Sequence, residues 1–317
     1  MMDYPVFYSI IIVCLNAGDR LVSTVESVLS QKYGGYEIIV KDGGSKDGSV
    51  EKLKGLYSDS RLHIYVQGDS GIYDAMNEAV KLAEGDYILF LNAGDSLYDE
   101  TVLNKITDGI YGINRAAEKI TDSAYGENKD AEKKSDGINI ENRDVQKKAA
   151  VYKTENKKTP DIIYGNMYHK ALDTVIYSAP QINDFTCYRN VPCHQTCFYR
   201  RAMFEERVYN TSYNVRADYE HFLWCYYEKK ADIVYLPVIV AAYEGGGYSE
   251  TKQNKRLSAA QHREITVKYM GRGKVYKYRL IMLLTLSTIR SAMAENRYFS
   301  GIYNKLKTFI YKLKNLK

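Results

Sequence analysis

Nowhere in the 317 residues is there an apolar run of the roughly 18 to 20 residues that a spanning helix needs; the nearest, Leu280 to Leu286, is far too short. An integral membrane protein is therefore not expected. Cysteine is sparse and irregular: the five at 14, 187, 193, 197 and 225 form an odd set, and no signal peptide precedes the first apolar run at Ser9 to Leu15. That pattern predicts a cytoplasmic chain with reduced thiols. Cys193, His194 and Cys197 invite a zinc reading, but the second Cys pair at C-x-x-C spacing is missing. Acid is nearly missing from the C-terminal end, where residues 272 to 317 carry eleven Lys/Arg against the single Glu295. That end is about +10 in a chain of net charge +5, so the body is mildly acidic. The basic end is a candidate surface for phosphate, anionic lipid or nucleic acid. No recognised nucleic-acid module accompanies its lysines, so a nucleic-acid partner is not expected.

What is present begins with 45% hydrophobic residues, enough for a sizeable core. Over the first hundred residues short β-rich runs alternate with helical patterns, the signature of a parallel sheet with crossover helices. Strands are predicted at Tyr8 to Leu15, Tyr36 to Lys41, Arg61 to Val66 and Asp86 to Leu91, all short and bounded by Gly, Asp or Asn. Leu21, Val22, Val25, Val28 and Leu29 give 19 to 31 an amphipathic helical period, and Met76, Ala79, Val80 and Ala83 do the same for 73 to 84. Parallel strands bind ligands beyond their carboxyl ends, which directs attention to the loops after Leu15, Lys41, Val66 and Leu91.

From 112 to 160 the composition turns to Lys, Glu, Asp and Asn, predicting an inserted mobile segment within one domain spanning 1 to 250. The apolar run Asp161 to Tyr164, helices near Met203 to Val208 and Ala217 to Lys229, and a strand at Ile233 to Tyr243 complete that domain. Residues 251 to 317 read as a helical region ending in a basic amphipathic tail. Such a tail can lie on an anionic membrane surface, or it can pack on its own domain with Lys stems covering apolar surface.

Chemistry is concentrated in the loops. Lys41-Asp42-Gly43-Gly44-Ser45-Lys46-Asp47-Gly48 sets a carboxylate at a strand end, followed by glycines that let a ligand approach the backbone. It fails as a dinucleotide fingerprint, because it follows the second strand and has Ser45 where the middle glycine belongs. Asp42 can instead accept hydrogen bonds from a base or ribose. Asn92-Ala93-Gly94-Asp95 delivers one carboxylate directly after a buried strand, and an oxygen ligand there suits Mg²⁺ or Mn²⁺. In Gly71-Ile72-Tyr73-Asp74-Ala75-Met76-Asn77, the i, i+3 pair Asp74 and Asn77 opens a helix whose free N–H groups can meet phosphate.

Taken in order, these pieces resemble the family 2 glycosyltransferases, in particular the bacterial polysaccharide and lipopolysaccharide enzymes. The resemblance covers about residues 6 to 250 and includes Asn16, His194-Gln195 before Cys197-Phe198-Tyr199-Arg200, and Ala217-Asp218-Tyr219-Glu220. It implies an α/β GT-A fold, a Rossmann-like, mainly parallel sheet flanked by helices. It also implies inverting transfer from a nucleotide sugar, commonly a UDP-sugar, to a hydroxyl of a glycan or lipid-linked sugar. By matching positions, Val13 and Leu15 would flank the base and Asp42 would bind the nucleoside. Gly71, Asp74, Asn77 and Asn92 would line the donor pocket, and Asp95 would ligate Mn²⁺ or Mg²⁺. Asp218 takes the place of the acidic base, with Glu220 as the other candidate; His194 and Gln195 fall near acceptor or diphosphate. The family commonly writes D-x-D at the metal loop, whereas here Asp95 is the sole carboxylate.

Three other readings compete. A Rossmann-type oxidoreductase lacks its glycine fingerprint after Leu15. A non-catalytic scaffold of the same fold draws support from the depleted metal loop, while the presence of both Asp95 and Asp218 speaks against it. A nucleic-acid binder rests on the tail alone.

Overall fold

The alternation of the first hundred residues produces four parallel strands. In the computed structural model, which describes residues 4–112, 159–245 and 251–284, they are β1 (Tyr8–Cys14), β2 (Tyr36–Asp42), β3 (Leu62–Val66) and β4 (Tyr87–Asn92). They lie in the order β3-β2-β1-β4, so the direction of winding reverses at β1. That reversal is where an open α/β sheet leaves a crevice. β1, β2 and β4 are buried along nearly their whole length, which is why their sequences run apolar without alternation.

Helices cover both faces. On one, α1 (Asp19–Leu29) buries Leu21, Val22, Val25 and Val28, joined by Val50 and Leu53 of α2 (Ser49–Leu56). α2 escapes the sequence reading because only Val50, Leu53 and Leu56 are apolar in its eight residues, too few to stand out as a helical period. A further helix, α4, covers 102–112 and packs Val102, Leu103, Ile106 and Ile110 into the same core. On the other face lies α3 (Ile72–Val80), whose Met76 and Ala79 are fully buried; each large side chain so buried contributes about 1.5–3 kcal/mol.

The second half extends the sheet with β5 (Ser96–Leu97), β6 (Ile162–His169), β7 (Thr174–Ile176), β8 (Cys197–Arg200) and β9 (Ile233–Tyr243). β8 is antiparallel to both β4 and β6, β6 is parallel to β9, and β5 closes the far edge. The result is the mixed α/β sheet expected. α5 (Asp184–Arg189), α6 (Ala202–Glu206) and α7 (Ala217–Tyr227) join α3 on its face. α8 (Lys252–Leu284) lies against them through Ile265 and Met270 and bends at Gly271, which sits at φ 76°. The predicted insertion lies almost wholly outside the described residues, as does the tail beyond 284.

Candidate active site

Register carries the carboxyl ends of three strands to one rim. Cys14 pairs with Asp42 and Val13 with Asn92, so Asp42 and Asn92 stand two strand spacings apart, about 10 Å. Asp42 is fully buried and organises its own loop: Oδ2 accepts from the N–H groups of Gly44 (2.9 Å) and Ser45 (2.8 Å), and Oδ1 accepts from the Ser45 hydroxyl. Asn16, in the left-handed region at φ 50°, ties that loop to β1 by donating its N–H to Ser45 Oγ (2.7 Å) and accepting from Lys46 N (2.9 Å). Gly43 has a reason to be glycine, since a Cβ there would stand 2.8 Å from Asp69 Oδ2. Leu15, 59% exposed, stands beside Gly43 and leaves an apolar surface open at this rim. Val13 does not: its side chain is buried in the core beneath α3, so only its backbone reaches the rim.

The loop after β4 meets residues from the second half. Asp95, 3% exposed, accepts at Oδ2 from Gln195 Nε2 (2.9 Å) and at Oδ1 from Glu244 N (3.1 Å). Burial pushes its carboxyl above the ordinary aspartate range, and those two donors offset the effect only in part. His194 and Gln195 arrive on a short 3₁₀ turn (His194–Thr196) between α5 and β8. His194 Nδ1 lies 3.0 Å from Asp218 Oδ2, and its Nε2 lies 3.4 Å from Asn92 Nδ2. Asn92 Oδ1 is buried without a hydrogen-bond partner.

Asp218 stands on the first turn of α7. Its Oδ1 accepts from Tyr73 Oη and from Tyr219 N, each at 2.8 Å. Burial opposes its ionisation, but the hydrogen bond and charge of His194, with the Tyr73 hydroxyl, outweigh it and hold the carboxyl below the usual range. Tyr73 belongs to the quoted Gly71-to-Asn77 motif, yet nothing in the sequence marks it as a partner of a residue 145 positions away. Two further cations are equally unannounced. Lys41, buried beside Asp42, donates to Gln67 O (2.6 Å) and pairs with Glu78 (2.9 Å). Lys170 donates to Gly94 O (3.2 Å) and pairs with Glu244 (2.9 Å) over the Asp95 loop.

Not every expected residue faces the cleft. Gly71, at φ 142°, starts α3 in a conformation that L side chains rarely adopt. Asp74 closes that turn, accepting at Oδ2 from Ser70 N (2.9 Å) and Ser70 Oγ (2.7 Å). Asn77 points inward: its amide bonds Tyr209 O and Tyr209 N, both at 2.9 Å, so it braces the core and does not line the donor pocket. Glu220 is excluded as a base. It is fully buried and held by Arg207 (2.8 Å), Lys268 (2.7 Å) and the Tyr269 hydroxyl (2.6 Å), because two residues beyond Asp218, a rotation of about 200°, it faces α8.

The chain that builds this rim has counterparts among known proteins. The glycosyl transferase family 2 model matches residues 9–207. The chain belongs to that family. A PGL/p-HBAD biosynthesis glycosyltransferase of Mycobacterium bovis is 30% identical over 261 residues, covering 81% of this chain and 84% of its own. A putative teichuronic acid biosynthesis glycosyltransferase of Bacillus subtilis, TuaG, is 35% identical over 97 residues, 30% of this chain and 38% of its own. Among solved structures, S. aureus TarS 1-349 in complex with UDP superposes with a TM-score of 0.54 at 16% identity, covering 84% of this chain and 71% of its own. The mannosyltransferase PcManGT of Pyrobaculum calidifontis, in complex with GDP-Man and Mn²⁺, gives 0.51 at 12% identity, covering 99% and 88%. The shared fold is GT-A.

For a family 2 glycosyltransferase the divalent cation is the natural question. No three metal-ligating side chains gather among the described residues. Asp95 nonetheless fits as a single protein ligand, since it is a desolvated carboxylate short of compensating charge. Mg²⁺ in particular is bound by one or two carboxylates with substrate phosphates and water completing its shell.

Proposed function

We propose that this chain is an inverting glycosyltransferase that moves a sugar from a nucleoside-diphosphate donor, a UDP-sugar, to a hydroxyl of a glycan or lipid-linked acceptor in bacterial cell-surface polysaccharide synthesis. The observation that carries this reading is the meeting of Asp95, Asn92, His194 and Asp218 from three separate segments at the rim beside the Asp42 loop. The Asp42 loop with Leu15 would take the nucleoside, and the unpaired Asn92 Oδ1 is an acceptor for a ribose or sugar hydroxyl. Asp95 would hold the divalent cation against the diphosphate, and the cation, when bound, neutralises charge on the leaving group. Asp218, with His194 against it, supplies the base that an alcohol needs to attack an anomeric carbon. Attack opposite the leaving diphosphate inverts that centre. The UDP of the TarS complexes and the biosynthetic names of the relatives support the choice of donor and setting.

The reaction takes place at the inner face of the cytoplasmic membrane in this reading. No helix among the described residues is long and apolar enough to cross a membrane. Beyond Gly271, however, α8 exposes Tyr276, Leu280, Leu283 and Leu284, which fall on one stripe flanked by exposed Arg272, Lys277 and Arg279. An apolar stripe between cations suits an anionic lipid surface.

A screen of nucleotide sugars tests donor, cation and chemistry together. Asp218→Asn should cut transfer by about 10²- to 10⁴-fold and leave UDP affinity, measured by calorimetry, nearly intact. Equal loss of both would remove Asp218 from the base function. Asp95→Ala should weaken UDP-sugar binding when Mn²⁺ or Mg²⁺ is present. Turnover indifferent to a chelator would remove the cation from the scheme.

A further inference from the structure

We propose that Lys170 binds the donor's diphosphate directly, exchanging its partner Glu244 for a phosphate oxygen beside the Asp95 loop. The inference rests on the transfer reading and adds to that site a binding residue from outside the loops that carry the rest of it.

Strand register brings Lys170 there. His169, the last residue of β6, pairs in parallel with Tyr243, and Ser96 of β5 pairs antiparallel with Ala242. Continued past the strand ends, those registers set Lys170 and Gly94 on either side of Glu244. The contacts agree. Lys170, which opens a short 3₁₀ turn (Lys170–Leu172), donates to Gly94 O at 3.2 Å and meets Glu244 Oε2 at 2.9 Å. A Cβ on Gly94 would stand 3.8 Å from Glu244 Cβ, and Glu244 N donates to Asp95 Oδ1 at 3.1 Å. The ammonium is thus anchored to the peptide group that joins Gly94 to Asp95, at a place the sheet dictates.

The charge of the loop explains what a lysine can do there. Asn92-Ala93-Gly94-Asp95 has a single carboxylate, and a divalent cation binds more weakly as its carboxylates become fewer. Such a cation supplies positive charge only while it is bound, whereas a fixed ammonium supplies it at all times and is a natural phosphate partner. Among the described residues, the contacts of Lys170 use two of its three N–H groups. Its side chain is 36% exposed and that of Glu244 50%, so a ligand can reach the pair. A salt bridge this open to water contributes little, and a phosphate oxygen can replace the Glu244 carboxylate at small cost. Gly94 O keeps hold of the ammonium during the exchange.

In the transfer step the acceptor oxygen bonds the anomeric carbon and its proton passes to Asp218. The bond from that carbon to the β-phosphate oxygen breaks, and the electron pair stays on the diphosphate. The leaving group gains negative charge next to an ammonium already in place.

Calorimetry on the full chain with UMP, UDP, GMP and GDP, first in EDTA and then in Mn²⁺, tests the contact. In EDTA the wild type is expected to bind UDP or GDP about tenfold more tightly than the matching monophosphate. Lys170→Ala should remove most of that difference, with monophosphate affinity within about twofold and the unfolding midpoint unchanged. Lys170→Arg keeps a cation and should restore the greater part of it. Glu244→Gln should tighten diphosphate binding by about threefold, since the ammonium loses its competing partner. A wild type that does not distinguish diphosphate from monophosphate in EDTA would overturn the proposal. So would a Lys170→Ala chain that keeps the difference, loses affinity for both nucleotides alike, or weakens only in Mn²⁺, and so would weaker diphosphate binding by Glu244→Gln. A wild type that binds none of the four nucleotides, with or without Mn²⁺, would instead remove the transfer reading itself.

Discussion

Asn77 gives both ends of its amide to the backbone of Tyr209, at 2.9 Å each, from a position 8% exposed. Its neighbour in the motif, Tyr73, reaches the other way and donates to Asp218. Two residues of one helical turn thus serve separate purposes, core bracing and site assembly. Asn77→Ala would leave a buried N–H and C=O of residue 209 without partners, a cost of about 2 kcal/mol. Denaturant unfolding should register that loss while UDP affinity stays within twofold. An affinity loss without a stability loss would put Asn77 back in the donor pocket. At this scale Asp42 and Asp95 stand out in the sequence as carboxylates directly after apolar strands, whereas His194 and Asp218 are marked only by the family resemblance. Tyr73, Lys41 and Lys170 were not legible, since a tyrosine or lysine becomes functional only through what it meets.

α7 and α8 meet through Glu220, and that contact links the helix carrying Asp218 to the C-terminal region. Arg207, Lys268 and Tyr269 all converge on a carboxylate with no exposure. Burial works against its ionisation, yet the bonds from Lys268, Tyr269 and Arg207 prevail and keep the carboxyl below the ordinary glutamate range. The folded state therefore binds fewer protons than the unfolded one over the interval between the two pKa values. The resulting stability is complete above the unfolded value of about 4.3 and is lost as pH falls through the folded one. Glu220→Gln should lower stability by about 3 kcal/mol at pH 7, because two cations lose a buried partner. Thermal unfolding followed from pH 7 to pH 3 should also be flatter in the variant than in the wild type. Identical pH slopes would mean that Glu220 does not link the helices. Turnover should fall less than stability, since Asp218 keeps its own three partners.

For the molecule as a whole, the division of surface follows the division of charge. The sheet carries the cleft at its carboxyl rim, whereas cations and an exposed apolar stripe gather on α8 past Gly271. Deleting residues 272 to 317 should reduce partitioning onto vesicles containing phosphatidylglycerol, and raising salt should weaken the intact chain's binding. Unchanged partitioning would assign this region to packing on the protein itself. UDP affinity should survive the deletion, because every residue placed at the rim lies before position 245.

The amino-acid order alone determined the layered α/β plan, the first four strands and the loops expected to carry chemistry. Those follow from local patterning: continuous apolar runs suit buried strands, a 3.6-residue period suits helices, and glycine with aspartate suits the turns between them. Only the tertiary structure decided which polar groups face the cleft. A side chain's partner depends on register and on elements more than a hundred residues away, as Asp218 with Tyr73 and Asp95 with Gln195 demonstrate. Asp218 and Glu220, two residues apart on one helix, look interchangeable in the sequence. The helical turn between them places one at the rim and the other under α8.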